Sequence, residues 1–261
     1  MNKFLLRALV LASVNIAVLA NAQFFRTRNR MDKLEDFDEQ KFSWGFFLNG
    51  NMLDYRIVLN PRYGTYGNQN LVSSKESTSF GAGLIAKWRL NDYLDLRMEP
   101  GLQFAQRKLL FNTQINDQYQ NGTLTNDPFI PIPLTDKDMN REVKSTLLDI
   151  PVLLELHGHR WYNSRPYIAA GVNYIVNLQS NSDSTDDNMQ QVFRSTTHNF
   201  AWSAEMGIQF YFNKFKLTPA IRGTFFMNNE IVADNATTPP YWASAISTLQ
   251  TRAILFVLKF E

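Results

Sequence analysis

Ser79-Phe-Gly-Ala-Gly-Leu-Ile-Ala-Lys-Trp-Arg-Leu90, the tight turn Asn91-Asp92 and Tyr93-Leu-Asp-Leu-Arg-Met-Glu-Pro-Gly-Leu-Gln-Phe104 form one continuous run of alternation. Phe80, Ala82, Leu84, Ala86 and Trp88 fall on one face, and Gly81, Gly83, Lys87 and Arg89 on the other. Past the turn, Leu94, Leu96, Met98, Leu102 and Phe104 oppose Asp95, Arg97, Glu99, Gly101 and Gln103. A period of two with every charge on one side predicts an antiparallel hairpin with one apolar and one polar face.

The same pattern recurs on both sides of this hairpin. Ser43 to Met52 places Trp44, Phe46, Leu48 and Met52 together, and Lys144 to Leu156 sets Leu148, Ile150, Val152, Leu154 and Leu156 against Asp149 and Glu155. Pro166 to Leu178, His198 to Phe212, Phe215 to Met227 and a last run ending Ile254-Leu-Phe-Val-Leu-Lys-Phe260 complete a set of eight. These strands of about 10 to 16 residues are long enough to cross a bilayer at the usual tilt. The connections are in turn long and short: 53–78, 109–143, 179–197 and 228–247 are long and polar, whereas Asn91-Asp92, Asn213-Lys214 and 157–165 are tight or medium turns. The sequence therefore predicts an all-β fold, an eight-stranded antiparallel transmembrane β-barrel with short periplasmic turns, long extracellular loops and both termini in the periplasm.

The start of the chain fits that address. Lys3 and Arg7 precede an apolar run from Ala8 to Ala20, and Ala20-Asn-Ala22 has the form of a small-residue cleavage site. The expected organisation is a signal peptide over 1–22, a periplasmic segment over 23–42 and the barrel over 43–261. The absence of cysteine excludes a lipoprotein anchor and disulfides. A mean hydropathy of -0.28 is no objection, because only half of each membrane-crossing strand must be apolar. A soluble sandwich would have to solvate outward rows of Phe, Leu, Ile and Trp. The net charge of +2 is too small to imply nucleic acid or acidic substrates.

Three prolines, Pro100, Pro151 and Pro219, sit inside predicted strands, where they can donate no ladder bond, so bulges are expected there. Side chains just about fill an eight-stranded barrel. Arg97, Glu99, Asp149, Glu155, Glu205 and Arg222 all belong to inward rows, and the expectation is a neutralised ion-pair network plugging the lumen, with Arg222 paired to Glu205. Catalysis needs a nucleophile, a base and an orienting group in reach. The three histidines are poorly placed for it: His157 and His159 fall in a predicted hydrated turn, while His198 has only its loop neighbours Ser195 and Thr196. His157, His159 and Glu155 offer metal-ligand types, but no Cys/His zinc pattern or phosphate-binding glycine motif is present, and no catalytic residue, metal or cofactor is assigned.

Two segments are candidates for partner contact. The loop run Asp127-Pro-Phe-Ile-Pro-Ile-Pro-Leu134 exposes Phe129, Ile130, Ile132 and Leu134 on a proline-stiffened backbone; packing as a lid over the barrel mouth is the other reading. Arg26, Arg28 and Arg30 precede the acidic stretch 32–39, in which Met31, Leu34 and Phe37 have the spacing of a short periplasmic helix.

Leu148-Asp-Ile-Pro-Val-Leu-Leu-Glu-Leu156, a polar turn, and Ser164-Arg-Pro-Tyr-Ile-Ala-Ala-Gly-Val-Asn-Tyr174 resemble the strand pair of the PorT-like outer-membrane β-barrel family of the Bacteroidota. Trp44-Gly-Phe-Phe-Leu-Asn-Gly-Asn-Met-Leu-Asp-Tyr-Arg56 is similar to that family's opening strand. Glu261 departs from the aromatic terminus of many such barrels, leaving Phe260 penultimate. The resemblance implies a non-enzymatic component of the type IX protein secretion and gliding motility machinery, with other components of that system and outer-membrane lipid as its partners. A small surface barrel acting in adhesion or immune evasion is the first alternative, and an outer-leaflet enzyme modifying lipid A the second.

Overall fold

The computed structural model describes residues 33–66, 68–111 and 135–261. Eight strands make up its wall: β1 (Phe42–Leu59), β2 (Ser77–Arg89), β3 in two pieces (Leu94–Met98 and Gly101–Phe111), β4 (Asn140–His157), β5 (Ser164–Asn177), β6 (His198–Tyr211), β7 (Lys216–Phe226) and β8 (Ile246–Phe260). Every strand is antiparallel to its neighbours, and β1 pairs with both β2 and β8, so the sheet closes. One row of partners runs around the barrel from Ser43 through Lys87, Arg97, Leu153, Gly171, Ser203, Thr224 and Ala253 to Leu53. It regains β1 ten residues beyond its start, from Ser43 to Leu53, which inclines the strands by about 40° to the barrel axis.

Pleating then sorts the side chains. Trp44 (80% exposed), Phe80, Leu84, Ile168, Met206 and Phe256 point outward, while Phe47, Ile85, Leu153, Leu255 and Val257 fill the interior with the polar rows. On β1 the apolar outer row spans Phe42 to Met52, and at this inclination the belt is roughly 25 Å tall, the hydrocarbon thickness a barrel must match. Closure pairs the backbone groups that an open edge would strand in lipid. Gly83 and Gly101 face each other where β2 meets β3, and a Cβ on either would lie 2.5 or 2.7 Å from the ring of Phe47. Glycine there makes room for the ring.

The strands run further than the apolar pattern alone indicates. β1 continues through Leu53, Tyr55 and Ile57, and β8 begins at Ile246, because alternation persists above the belt with Asp54, Arg56, Gln250 and Arg252 on the outer face. A short strand, Val72–Lys75, adds to the upper part of β3. The bulges expected at the prolines are absent. The register between β3 and β4 is the same on either side of Pro100 and Pro151, with Met98 opposite Val152 and Gly101 opposite Asp149. Pro219 likewise leaves the β6–β7 register unchanged between Gly207–Ala220 and Phe210–Leu217. A proline carbonyl still accepts: Leu84 donates to Pro100 (2.9 Å) and Glu99 to Pro151 (3.2 Å), so each proline removes a donor without inserting a residue.

Candidate functional site

The barrel's interior is the place where chemistry-bearing side chains converge. In its middle, β3 contributes Arg97 and, at the break between its two pieces, Glu99; β4, β6, β7 and β8 contribute Glu155, Glu205, Arg222 and Lys259. Arg97 Nη1 lies 3.2 Å from both Glu99 and Glu205 and also pairs with Glu155. Arg222 donates through Nε to Glu205 (2.7 Å) and bridges to Glu99. Lys259 Nζ completes the layer at 2.7 Å from Glu99 and 2.5 Å from Glu205, and Tyr167 donates its hydroxyl to Glu205 (2.7 Å). Three cations thus face three carboxylates, all buried, which is the condition for ions to persist out of water.

Asp149 shares the inward face but not this layer. It accepts a hydrogen bond from Asn173 (2.8 Å), whose carbonyl oxygen accepts from Ser203 (2.7 Å) in a neutral relay that reaches Thr224. Beside it a cavity of about 20 Å³, bordered by Asn51, Gln103, Asp149, Thr224 and Thr251, has room for roughly one water.

Each end of the lumen is closed differently. Toward the short turns, Lys87 meets Asp95 (3.5 Å), Lys216 meets Glu261 (2.7 Å), and a 3₁₀ helix, Glu35–Glu39, sits across the opening. Its Phe37 ring lies 5.0 Å from Lys216 Nζ and 5.8 Å from Lys87 Nζ, and its Asp38 accepts from the Tyr211 hydroxyl (2.8 Å) between Arg160 and Arg165. Phe37 of the expected helical segment thus contacts the barrel itself, while Leu34 lies just before the helix in a left-handed conformation. Glu261 is inward because Phe260, one residue earlier, is outward and stacks on Phe46 at 5.0 Å.

Toward the long connections, Arg107 is held by Glu230 (3.2 Å), Thr251 (2.7 Å) and Ser145 (2.6 Å) and lies over Tyr55. Above it Tyr241, Trp242, Leu249, Leu71, Leu109 and Phe193 form a second apolar core. Two of the connections are clasped together over this core by Asp187, which accepts from Thr238 (2.6 Å) and the Asn235 amide (2.9 Å), and by Asn188, which donates to Asp234 (2.9 Å). Burial opposes ionisation of Asp187, but the Thr238 hydroxyl, the Asn235 and Met189 amides and the Arg194 charge hold it below the usual aspartate range. Burial pushes Asp234 up, against the donation from Asn188 and the Ala243 amide and helped by Asp187 nearby.

His157 is not in a hydrated turn. β4 extends to it, opposite Tyr167, and points its ring inward, where Nε2 lies 3.0 Å from Asp95. Asp95, Glu155 and His157 bring ligand-type atoms within 4.8 Å of one another. Lys87 neutralises Asp95, and Arg97 and Gln209 engage Glu155, so the donor set is already spent on internal partners. His198 faces outward and its Nδ1 lies 2.7 Å from the Tyr174 hydroxyl, whereas Ser195 is buried against Asn177 and Ser180. These side chains diverge, and Glu205 lies in the central layer. Phe129, Ile130, Ile132, Leu134, Arg26, Arg28, Arg30 and the signal segment lie outside the described residues.

Lys259, Lys216, Lys87, Tyr167, Arg107 and Glu230 are network members beyond the six inward charges singled out from sequence. Parity assigns Lys259 to the inside, opposite Leu258 and Phe260; its partners, 160 and 54 residues away, depend on how the sheet closes.

A closed ring of eight antiparallel strands, apolar outside and filled with compensated charge inside, defines a small outer-membrane β-barrel. The chain belongs to the outer membrane protein beta-barrel domain family, whose model matches residues 21–232. Among solved structures it is similar to Neisserial surface protein A (10% identity, 84% of this chain and 98% of that one, TM-score 0.39). It is similar also to OprG of Pseudomonas aeruginosa (13% identity, 84% and 93%, TM-score 0.39) and to AlkL in lipid bilayers (13% identity, 83% and 87%, TM-score 0.41). No curated protein matches it significantly.

Proposed function

We propose that this barrel is a non-enzymatic accessory component of the type IX secretion machinery that acts by contact, with its long connections outside the cell and its short turns in the periplasm. The observation that carries the contact mode is the filled lumen: the central ion layer, the Phe37–Asp38 turn and the clasped connections occupy successive levels of the interior among the described residues. Such an interior offers no aqueous route for cargo, so the work falls to surfaces. The assignment to type IX secretion rests on the resemblance of the Asp149-Ile-Pro151 and Arg165-Pro-Tyr167 strand pair to the PorT-like family.

Gene deletion tests it directly. Cargo of the type IX route should accumulate in the periplasm, and single replacement of His198 or Ser195 in a folded barrel should leave secretion near normal. Deleting Phe129 to Leu134, or neutralising Arg26, Arg28 and Arg30, should impair secretion while the protein still reaches the outer membrane. Normal secretion in the deletion strain would remove the assignment and favour a surface-adhesion role. Loss of activity on replacing His198 alone would reopen the enzymatic one.

A further inference from the structure

Above the apolar belt the outer wall is chemically lopsided. Over β5 to β7 the residues at its upper edge are Tyr174, His198, Phe200 and Met227, aromatic or apolar apart from the histidine. Over β3, β4 and the strand Val72–Lys75 they include three lysines. Lys75 is directly opposite Lys108, and Lys144 is opposite Gln106, one outward step above Phe104 and Thr146. Like charges placed opposite one another weaken a ladder unless an anion offsets them. The carboxylate between them, Glu142, is shared: Lys108 lies 3.5 Å and Lys144 3.4 Å away, and Gln106 also donates to it. Even counting exposed Glu76 beside Lys75, three ammonium groups face two carboxylates.

The side chains of Lys108 and Lys144 are 45% and 69% exposed, and they begin where the belt ends. In a bilayer that height is the headgroup layer, where each lysine near an anionic surface attracts phosphate. We propose that Lys75, Lys108 and Lys144 form a site for the phosphate of an outer-leaflet glycolipid, with its acyl chains lying against Leu102, Phe104 and Leu148 below. The proposal rests on the outward placement of the long connections, but its test does not, because it is made on purified protein.

The barrel folded in detergent is mixed with bisphosphorylated lipid A, the same lipid after phosphatase treatment, or phosphatidylglycerol, and retained lipid is measured by native mass spectrometry. Bisphosphorylated lipid A should bind more tightly than the other two. Replacing all three lysines by glutamine should weaken it by roughly a hundredfold, whereas replacing them by arginine should preserve it. Glu142→Gln should tighten binding by removing the competing carboxylate. All the substitutions are outward and outside the ion layer, and a heat-dependent shift on a gel verifies that each variant is folded. Equal retention of the phosphatase-treated lipid, equal retention of phosphatidylglycerol, undiminished binding by the glutamine variant or no gain in Glu142→Gln would each overturn the site.

Discussion

Removing Arg222 takes one of three cations from a layer containing three carboxylates, and the structure shows what is then left exposed to repulsion. Glu205 loses its Nε partner at 2.7 Å and Glu99 loses its bridge, while Lys259 and Arg97 must serve Glu99, Glu155 and Glu205 together. Truncating one partner of a buried pair typically costs about 3 to 5 kcal/mol, chiefly from the stranded charge. Lys259 at 2.5 Å and Arg97 at 3.2 Å still screen Glu205, so Arg222→Ala should lie at the lower end of that range, near 3 kcal/mol. Arg222→Ala combined with Glu205→Ala restores a neutral layer and should cost less than Arg222→Ala alone, which requires a coupling energy larger than the cost of Glu205→Ala, at least about 3 kcal/mol. Equilibrium unfolding in urea from lipid vesicles, followed by tryptophan fluorescence, measures all four corners of the cycle. Additive losses would show that the two side chains do not interact and would refute the central layer as described.

The folded barrel should migrate faster without heating than after it, since closure protects its backbone pairing from detergent; identical migration would mean an open sheet. A cysteine at Asp186 should react with an impermeant reagent on intact cells and one at Asn213 should not, and the reverse would invert the proposed orientation. Acid should loosen the clasp between the long connections. The pKa of Asp187 is lowered by folding, so its contribution is complete above the ordinary aspartate value and is lost as pH falls through the lower folded value; Asp234, raised by burial, changes in the opposite sense as pH rises. Proteolysis within 179–197 should therefore increase at low pH, and Asp187→Asn should show that sensitivity already at neutral pH, where wild type resists.

What the sequence discloses depends on which face a residue joins. The outward rows are legible because lipid demands an apolar residue at every second position, as in Trp44 to Met52 and Leu148 to Leu156. Above the belt that demand ends. Asp54 and Arg56 then make strand residues 53–59 read as polar loop, although the ladder between β1 and β8 continues through them. For the same reason His157, adjoining the polar turn, reads as solvated while its backbone is still in β4 and its ring faces Asp95. Parity alone places Arg97, Glu99, Glu205 and Arg222 inside, and neighbouring register makes Glu205 and Arg222 partners. It does not bring Lys259 to Glu99 or Arg107 to Glu230, since those pairs span the lumen and follow from the stagger of the closed sheet. The proline bulges fail as an expectation because a missing donor is a local loss, and the register on both sides is already fixed by the alternation of long strands.

That last point bears on why the interior is ionic at all. An apolar filling would stabilise the lumen as well or better, since desolvating two charges offsets much of their attraction. Yet with apolar residues on both faces, a strand displaced by one position would exchange its faces at little cost. In this barrel the same displacement on β3, β6 or β7 would turn Arg97, Glu205 or Arg222 into the belt now formed by Leu96, Met206 and Ile221. A cation at the bilayer midplane costs about 2 to 4 kcal/mol, a carboxylate less, and the partners left inside would be stranded as well. The charges therefore discriminate between registers more than they add stability, and Lys259 extends that discrimination to β8, which pairs with both β1 and β7.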